Sequence, residues 1–222
     1  MYRVIVTTAA FVLASFERPT PKSESAIAFK DEAMVFEYVP ATGEAVLVMS
    51  AESDASLSSV DIRGPHGASI MKLRCEGGRQ LALSGYKVES EESDLAQLFD
   101  AYPEGVYRIR ARAVDGRSVK GEAMLSYTLP LAAAMVYPLE GATDVPTSGL
   151  VIRWNADASA AAYQVSLEQD DNDGLTVQLP AGKQFFEVPD GFLASNTKTK
   201  IEIAVIGVNG NRTLVEVACA TQ

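Results

Sequence analysis

The sequence predicts an all-β protein: two β-sandwich units in tandem, with one short helix in the first. Three observations carry this. From Phe29 onward apolar side chains recur at every second residue, the spacing of half-buried strands. Turn pairs punctuate those runs, among them Thr42-Gly43, Asp115-Gly116, Asp173-Gly174, Asp190-Gly191 and Asn209-Gly210. A single stretch, 93–99, departs to helical spacing.

Residues 1–28 read differently. Met1-Tyr2-Arg3 is a weakly basic start, and Val4 to Phe16 is apolar apart from Thr7, Thr8 and Ser15. Glu17 to Ser25 is polar and broken by Pro19 and Pro21. This is the layout of an export signal and spacer, with Val12-Leu13-Ala14 suited to cleavage. A strand built on Val4-Ile5-Val6-Thr7-Thr8 is the competing reading. The run is shorter than the ~20 apolar residues that span a bilayer. The expectation is export to the periplasm or the extracellular space, with no integral membrane span.

The first sandwich unit is expected over 29–131. Its strands are predicted at 34–39, 44–50, 57–63 and 69–75, with a turn at 64–67. Ser93 is the expected helix cap, and the helix stops before Pro103. In 105–114, Tyr107, Ile109, Ala111 and Ala113 form one face while Arg108, Arg110 and Arg112 form the other. After Asp115-Gly116 the returning strand directs Val119, Gly121, Ala123, Leu125 and Tyr127 inward. The joint at 129–134 is short and not glycine-rich, so the units are expected to hold a limited range of orientations.

The second unit is expected over 132–222, with strands at 149–155, 163–169, 175–179, 184–188, 200–208 and 213–219. Its stretch 137–219 resembles fibronectin type III domains, a branch of the immunoglobulin-like sandwiches. The resemblance is carried by Pro138, Gly141 and Val145-Pro146, by Val151-Ile152-Arg153-Trp154, by Ala162-Tyr163-Gln164-Val165, by Leu193 to Thr197 before Ile201, Ile203 and Val205, and by a final hairpin from Gly207 to Arg212. It implies that Trp154 is the core tryptophan. Thr199 stands where that family usually has the tyrosine of its corner motif. The tandem, through 95–108, Ala113 to Gly116 and Leu125 to Pro130, also resembles an uncharacterised family of exported bacterial tandem β-sandwich proteins. That resemblance implies two domains and export, and it brings no activity with it.

Composition narrows the function classes. The net charge is −10, and both parts are acidic: residues 1–131 carry 14 basic and 18 acidic side chains, residues 132–222 carry 5 and 11. Nucleic acid is therefore not an expected partner. The single histidine, His66, lies in the turn Gly64-Pro65-His66-Gly67, so a histidine-based triad or a zinc site has almost nothing to build on. Cys75 and Cys219 fall on the apolar faces of strands in different units and are not expected to bridge. No GxGxxG, Walker or GxSxG motif is present, and no carboxylate pair is marked out for glycoside hydrolysis. No catalytic residue and no cofactor are expected.

Two residue sets remain. Asp170, Asp171 and Asp173, in Asp170-Asp171-Asn172-Asp173-Gly174, form a weak calcium candidate. An EF-hand register with Gly174 sixth puts Gln169 first and Pro180 twelfth, so that motif fails. Arg108, Arg110 and Arg112 are partner-binding candidates for an acidic protein, a sulfated glycan or the neighbouring unit. Such a stripe otherwise makes cross-strand pairs with carboxylates such as Glu122. Glu89, Glu91, Glu92 and Asp94 read as a solvated acidic loop. The expected function is that of a non-enzymatic exported interaction or adhesion protein binding a protein or cell-surface partner, through loops at a sandwich end, exposed sheet faces or the interdomain groove. The alternative is a carbohydrate-binding or accessory module beside a hydrolase.

Overall fold

A computed structural model of the chain describes residues 26–75, 82–155, 158–169 and 174–222. The export-signal reading therefore lies almost wholly outside the described residues, as do Asp170, Asp171 and Asp173. No helix among the described residues is long and apolar enough to cross a membrane.

The first unit contains β1 (Ile27–Ala28), β2 (Asp31–Val39), β3 (Glu44–Arg63), β4 (Ser69–Arg74), β5 (Leu83–Glu89), β6 (Ser93–Asp94), α1 (Leu95–Ala101), β7 (Gly105–Ala113) and β8 (Ser118–Leu125). The predicted strands 44–50 and 57–63 are one strand, β3. Ala51, Ser53, Ala55 and Leu57 stay buried while Glu52, Asp54 and Ser56 stay exposed, so the alternation carries on through the gap between the two predicted strands and changes phase only at Ser58-Ser59; small inward residues hid it. This strand belongs to both layers. Its first half lies between β2 and β5, and its second half between β4 and β7, with register shifts where it passes from one to the other.

Strand β5 was not foreseen. It directs Tyr86 and Val88 against the core, so Glu89 ends a strand rather than lying in a solvated loop. The helix cap is Asp94, not Ser93: Asp94 Oδ1 accepts the Gln97 N–H at 2.9 Å, while Ser93 donates to the Gln97 side-chain carbonyl at 2.7 Å. Tyr107, at the start of β7, donates its hydroxyl to the carbonyl of Pro103 at 3.0 Å. This is the geometry of a tyrosine corner, placed in the first unit.

The second unit contains β9 (Ala134–Tyr137), β10 (Val151–Asn155), β11 (Ala162–Gln169), β12 (Leu175–Pro180), β13 (Phe185–Glu187), β14 (Lys198–Ile206) and β15 (Arg212–Ala220). One sheet has the order β13-β10-β9, and the other runs β12-β11-β14-β15. That three-plus-four arrangement is a fibronectin type III-like sandwich. Leu150, Ile152, Trp154, Tyr163, Val165 and Leu167 are all buried, and the Trp154 and Tyr163 rings meet at 5.5 Å. Thr199 is buried in place of the corner tyrosine, and its hydroxyl accepts from Gln169 Nε2 at 2.8 Å. Strand β9 begins inside the predicted joint, at Ala134.

The buried apolar residues form two clusters, one from Phe29 to Leu125 and one from Ala133 to Cys219. Backbone pairing nevertheless continues across the joint. Strand β15 pairs in parallel with β2, Arg212 opposite Glu37 and Thr213 opposite Tyr38. Hydrogen bonding therefore runs unbroken from β5 through β3, β2, β15, β14 and β11 to β12.

Candidate functional site

Chemistry-bearing groups are scattered rather than gathered. His66 is exposed in its turn, and both cysteines are free. Among the described residues no group of three or more His, Cys, Asp or Glu is placed to hold a metal ion. The largest recess near a thiol, about 580 Å³, opens at the end of the second sandwich away from the joint, over Gln169, Thr199 and Cys219. Burial, and then Glu140, push the Cys219 thiol above its ordinary value, which disfavours the thiolate a nucleophile needs. A smaller cleft of about 230 Å³ at the joint is lined by Glu37, Glu44, Glu89, Glu92 and Glu216.

The final hairpin, 207–212, is not an open loop at a sandwich end. Asn209 Nδ2 donates to the Thr128 carbonyl at 2.8 Å, and the buried Thr213 hydroxyl donates to the Pro130 carbonyl at 2.7 Å. Arg212 meets Glu37 at 2.9 Å. The hairpin therefore spends its polar groups on the first unit.

What topology does assemble is a basic face on the outer side of β4, the second half of β3, β7 and β8. Residues directly opposite in antiparallel register share a face. Three rows follow: Lys72, Asp61, Arg110, Lys120; then Arg74, Ser59, Arg112, Ser118; then Arg63, Arg108, Glu122. Seven cations thus stand with two carboxylates, in a chain of net charge −10. Arg108, Arg110 and Arg112 are all exposed on this face and form its spine. Arg108 pairs with Glu122 at 3.4 Å, and Arg63 pairs with Asp61 at 3.2 Å. Arg112 donates to the Gly116 carbonyl at 3.3 Å. Among the described residues, Arg110, Lys120, Lys72 and Arg74 have no carboxylate within ion-pair distance. A shallow depression of about 370 Å³ lies between Arg108, Arg110, Lys120 and Glu122.

Two rows place like charges directly opposite each other, Arg63 with Arg108 and Arg110 with Lys120. Such pairs destabilise a sheet. Sequence reasoning found the spine but missed Arg63, Lys72, Arg74 and Lys120 as its neighbours. Their alternation along each strand was visible, whereas the strand order that gathers them was not.

Fold and surface together define the protein as a tandem of two all-β sandwich units, the second fibronectin type III-like. No protein family matches the sequence, and no curated protein matches it. Among solved structures, the chain is similar to the fibronectin(III)-like modules of Clostridium thermocellum CbhA, with 11% identity over 87% of this chain and 93% of that one, at a TM-score of 0.35. A two-domain fibronectin type III segment from chicken tenascin matches with 10% identity over 87% and 96%, at 0.33. The 47-kilodalton lipoprotein Tp47 of Treponema pallidum matches with 13% identity over 80% and 46%, at 0.37. Scores this low carry no functional argument; the fold description rests on the chain's own strand order.

Proposed function

We propose that this chain is a non-enzymatic exported interaction or adhesion protein, built as an export signal and spacer (1–28), a first sandwich unit (29–131) and a fibronectin type III-like unit (132–222), that binds a protein or cell-surface partner through the basic face of the first unit. The observation that carries the reading is the concentration of cations, including opposed like charges, on one exposed sheet face of an acidic chain. A sheet face under no demand would place carboxylates opposite its arginines throughout, as Glu122 does for Arg108. Docking of the final hairpin against the first unit supports a surface held in fixed orientation.

A carbohydrate-binding module acting beside a hydrolase calls for open aromatic faces. Trp154 is buried, and the exposed Phe185 ring is covered by Lys183 at 4.8 Å and by Arg153 at 6.0 Å. The test is attachment of the labelled, signal-free chain to a panel of bacterial and animal cell surfaces, beside an Arg108→Glu, Arg110→Glu, Arg112→Glu variant of verified fold. At least a tenfold loss of attachment in the variant is expected. Equal attachment by both proteins overturns the reading.

A further inference from the structure

We infer that the basic face receives an extended acidic polysaccharide, lying across β4, β3, β7 and β8 with its anionic groups on Arg110, Lys120, Lys72 and Arg74, the cations with no ion-pair partner among the described residues. This rests on the interaction reading above and names the partner class of the same surface. Three features select the occupant. First, the face offers charge and hydroxyls but almost no grease. Its rows carry seven arginines and lysines, Ser59, Ser118 and only the two carboxylates Asp61 and Glu122, and the one large apolar side chain exposed on β8 is Met124. Protein partners draw their affinity from a buried apolar or aromatic centre, which this surface lacks. A sugar chain brings anions for the guanidinium forks and hydroxyls for the serines.

Second, the cations stand in a grid about 4.8 Å apart across strands and about 6.8 Å apart along them. A flexible polyanion can settle its charges on such a grid in several registers. Third, the face is narrow. Four strands span roughly 15 Å, and the rest of the protein is strongly acidic. A stiff nucleic-acid duplex, straight over about 150 base pairs, would carry its phosphates beyond the face and over that acidic surface. A single saccharide chain stays within it.

The opposed pair Arg110 and Lys120 provides the discriminating test. In the free protein their mutual repulsion is offset only in part, by Asp61 opposite Arg110 on its other side, and a bound anion between Arg110 and Lys120 relieves it. Replacing both with threonine, Arg110→Thr with Lys120→Thr, removes repulsion and adds good strand formers, so the melting temperature stays level or rises. A residue pair kept only for structure would not lose binding while gaining stability.

Binding of the signal-free chain to dextran sulfate and polygalacturonate is measured by titration calorimetry from 20 to about 300 mM salt, beside neutral dextran, polyglutamate and a short DNA duplex. The expected result is binding to at least one acidic polysaccharide but not to dextran, a loss of affinity of at least tenfold between the salt extremes, and a further loss of at least tenfold in the double threonine variant with its melting temperature maintained. Polyglutamate or duplex DNA binding more tightly than either polysaccharide overturns the partner class and leaves the interaction reading standing. No binding to any polyanion overturns this inference, and the cell-attachment comparison then decides the broader reading by itself. Unchanged affinity in the double variant assigns any binding to another surface and overturns the inference.

Discussion

Asn211 holds Phe36 across the joint. The Asn211 side chain is buried; its Oδ1 accepts the Phe36 N–H at 2.9 Å, and its Nδ2 donates to the carbonyls of Ser126 at 2.7 Å and Thr128 at 2.8 Å. One amide therefore satisfies a backbone donor of the first unit and two carbonyls of the segment leading out of it. Asn211→Ala leaves all three without that partner. Buried unsatisfied groups cost about 1–3 kcal/mol each, and partial access of water moderates the sum. A loss on the order of 3 kcal/mol in urea unfolding is expected. Asn211→Asp is expected to be no better, because a carboxylate accepts from Phe36 but cannot donate to the carbonyls. A loss below about 0.5 kcal/mol in both variants would refute this role.

The same contact predicts coupled unfolding. Trp154 is the chain's only tryptophan and lies in the second core, so its fluorescence reports on that unit alone. Far-ultraviolet circular dichroism reports on strands of both. With β2 and β15 paired and Asn211 bridging them, the two signals are expected to change at the same urea concentration in the wild type. In Asn211→Ala the transitions are expected to separate. Transitions that are already separate in the wild type would show that the joint couples nothing.

Glu202 offers a stabilising substitution. It faces Glu216 directly across β14 and β15; burial, with Glu216 and Glu37 adding to it and Lys200 opposing, holds its carboxyl above the ordinary value. A folded-state value above the unfolded one means that the folded chain takes up the proton first as pH falls, so acidification relieves the wild type. Glu202→Gln is expected to stabilise the protein at pH 7 by about 0.5 kcal/mol, the group being partly exposed and screened. The difference should shrink as pH falls through the raised value. Thermal melts of both proteins from pH 4 to 8 provide the comparison, and a gap that widens on acidification would contradict the assignment.

How much of this could be read beforehand differs by level. Strand faces were legible wherever large apolar residues alternate, as from Tyr107 to Ala113 and from Leu150 to Trp154. They were not legible where the inward residues are small, as at Ala51, Ser53 and Ala55, or where a short strand is half polar, as in β5. The arginine spine was legible because it lies on one strand. The rest of the basic face depends on the order β4-β3-β7-β8, which is fixed by long-range pairing that no local pattern records. The docking of the final hairpin escaped for the same reason: Asn209 and Asn211 look like turn residues, and only their partners reveal a joint.

Tyr107 gives the protein an alkaline signature. Burial, and then the neighbouring Tyr127 and Tyr102, push its phenol up to about 12 from the ordinary 10.0. Between those values the unfolded chain has released the proton and the folded chain has kept it, so stability is complete below pH 10 and declines as pH rises toward 12. Tyr107→Phe lacks both the hydrogen bond to Pro103 and this decline. At pH 8 the variant is expected to be less stable by about 1 kcal/mol, and the gap should close steadily above pH 10 as only the wild type pays the titration. Tyr86, also raised by burial, gives both proteins a shared slope that cancels in the difference. Urea midpoints of the pair from pH 8 to 12 measure it. A gap independent of pH would mean that the Tyr107 phenol is no more protected in the folded chain than in the unfolded one, and the corner hydrogen bond would then be too weak to hold the start of β7.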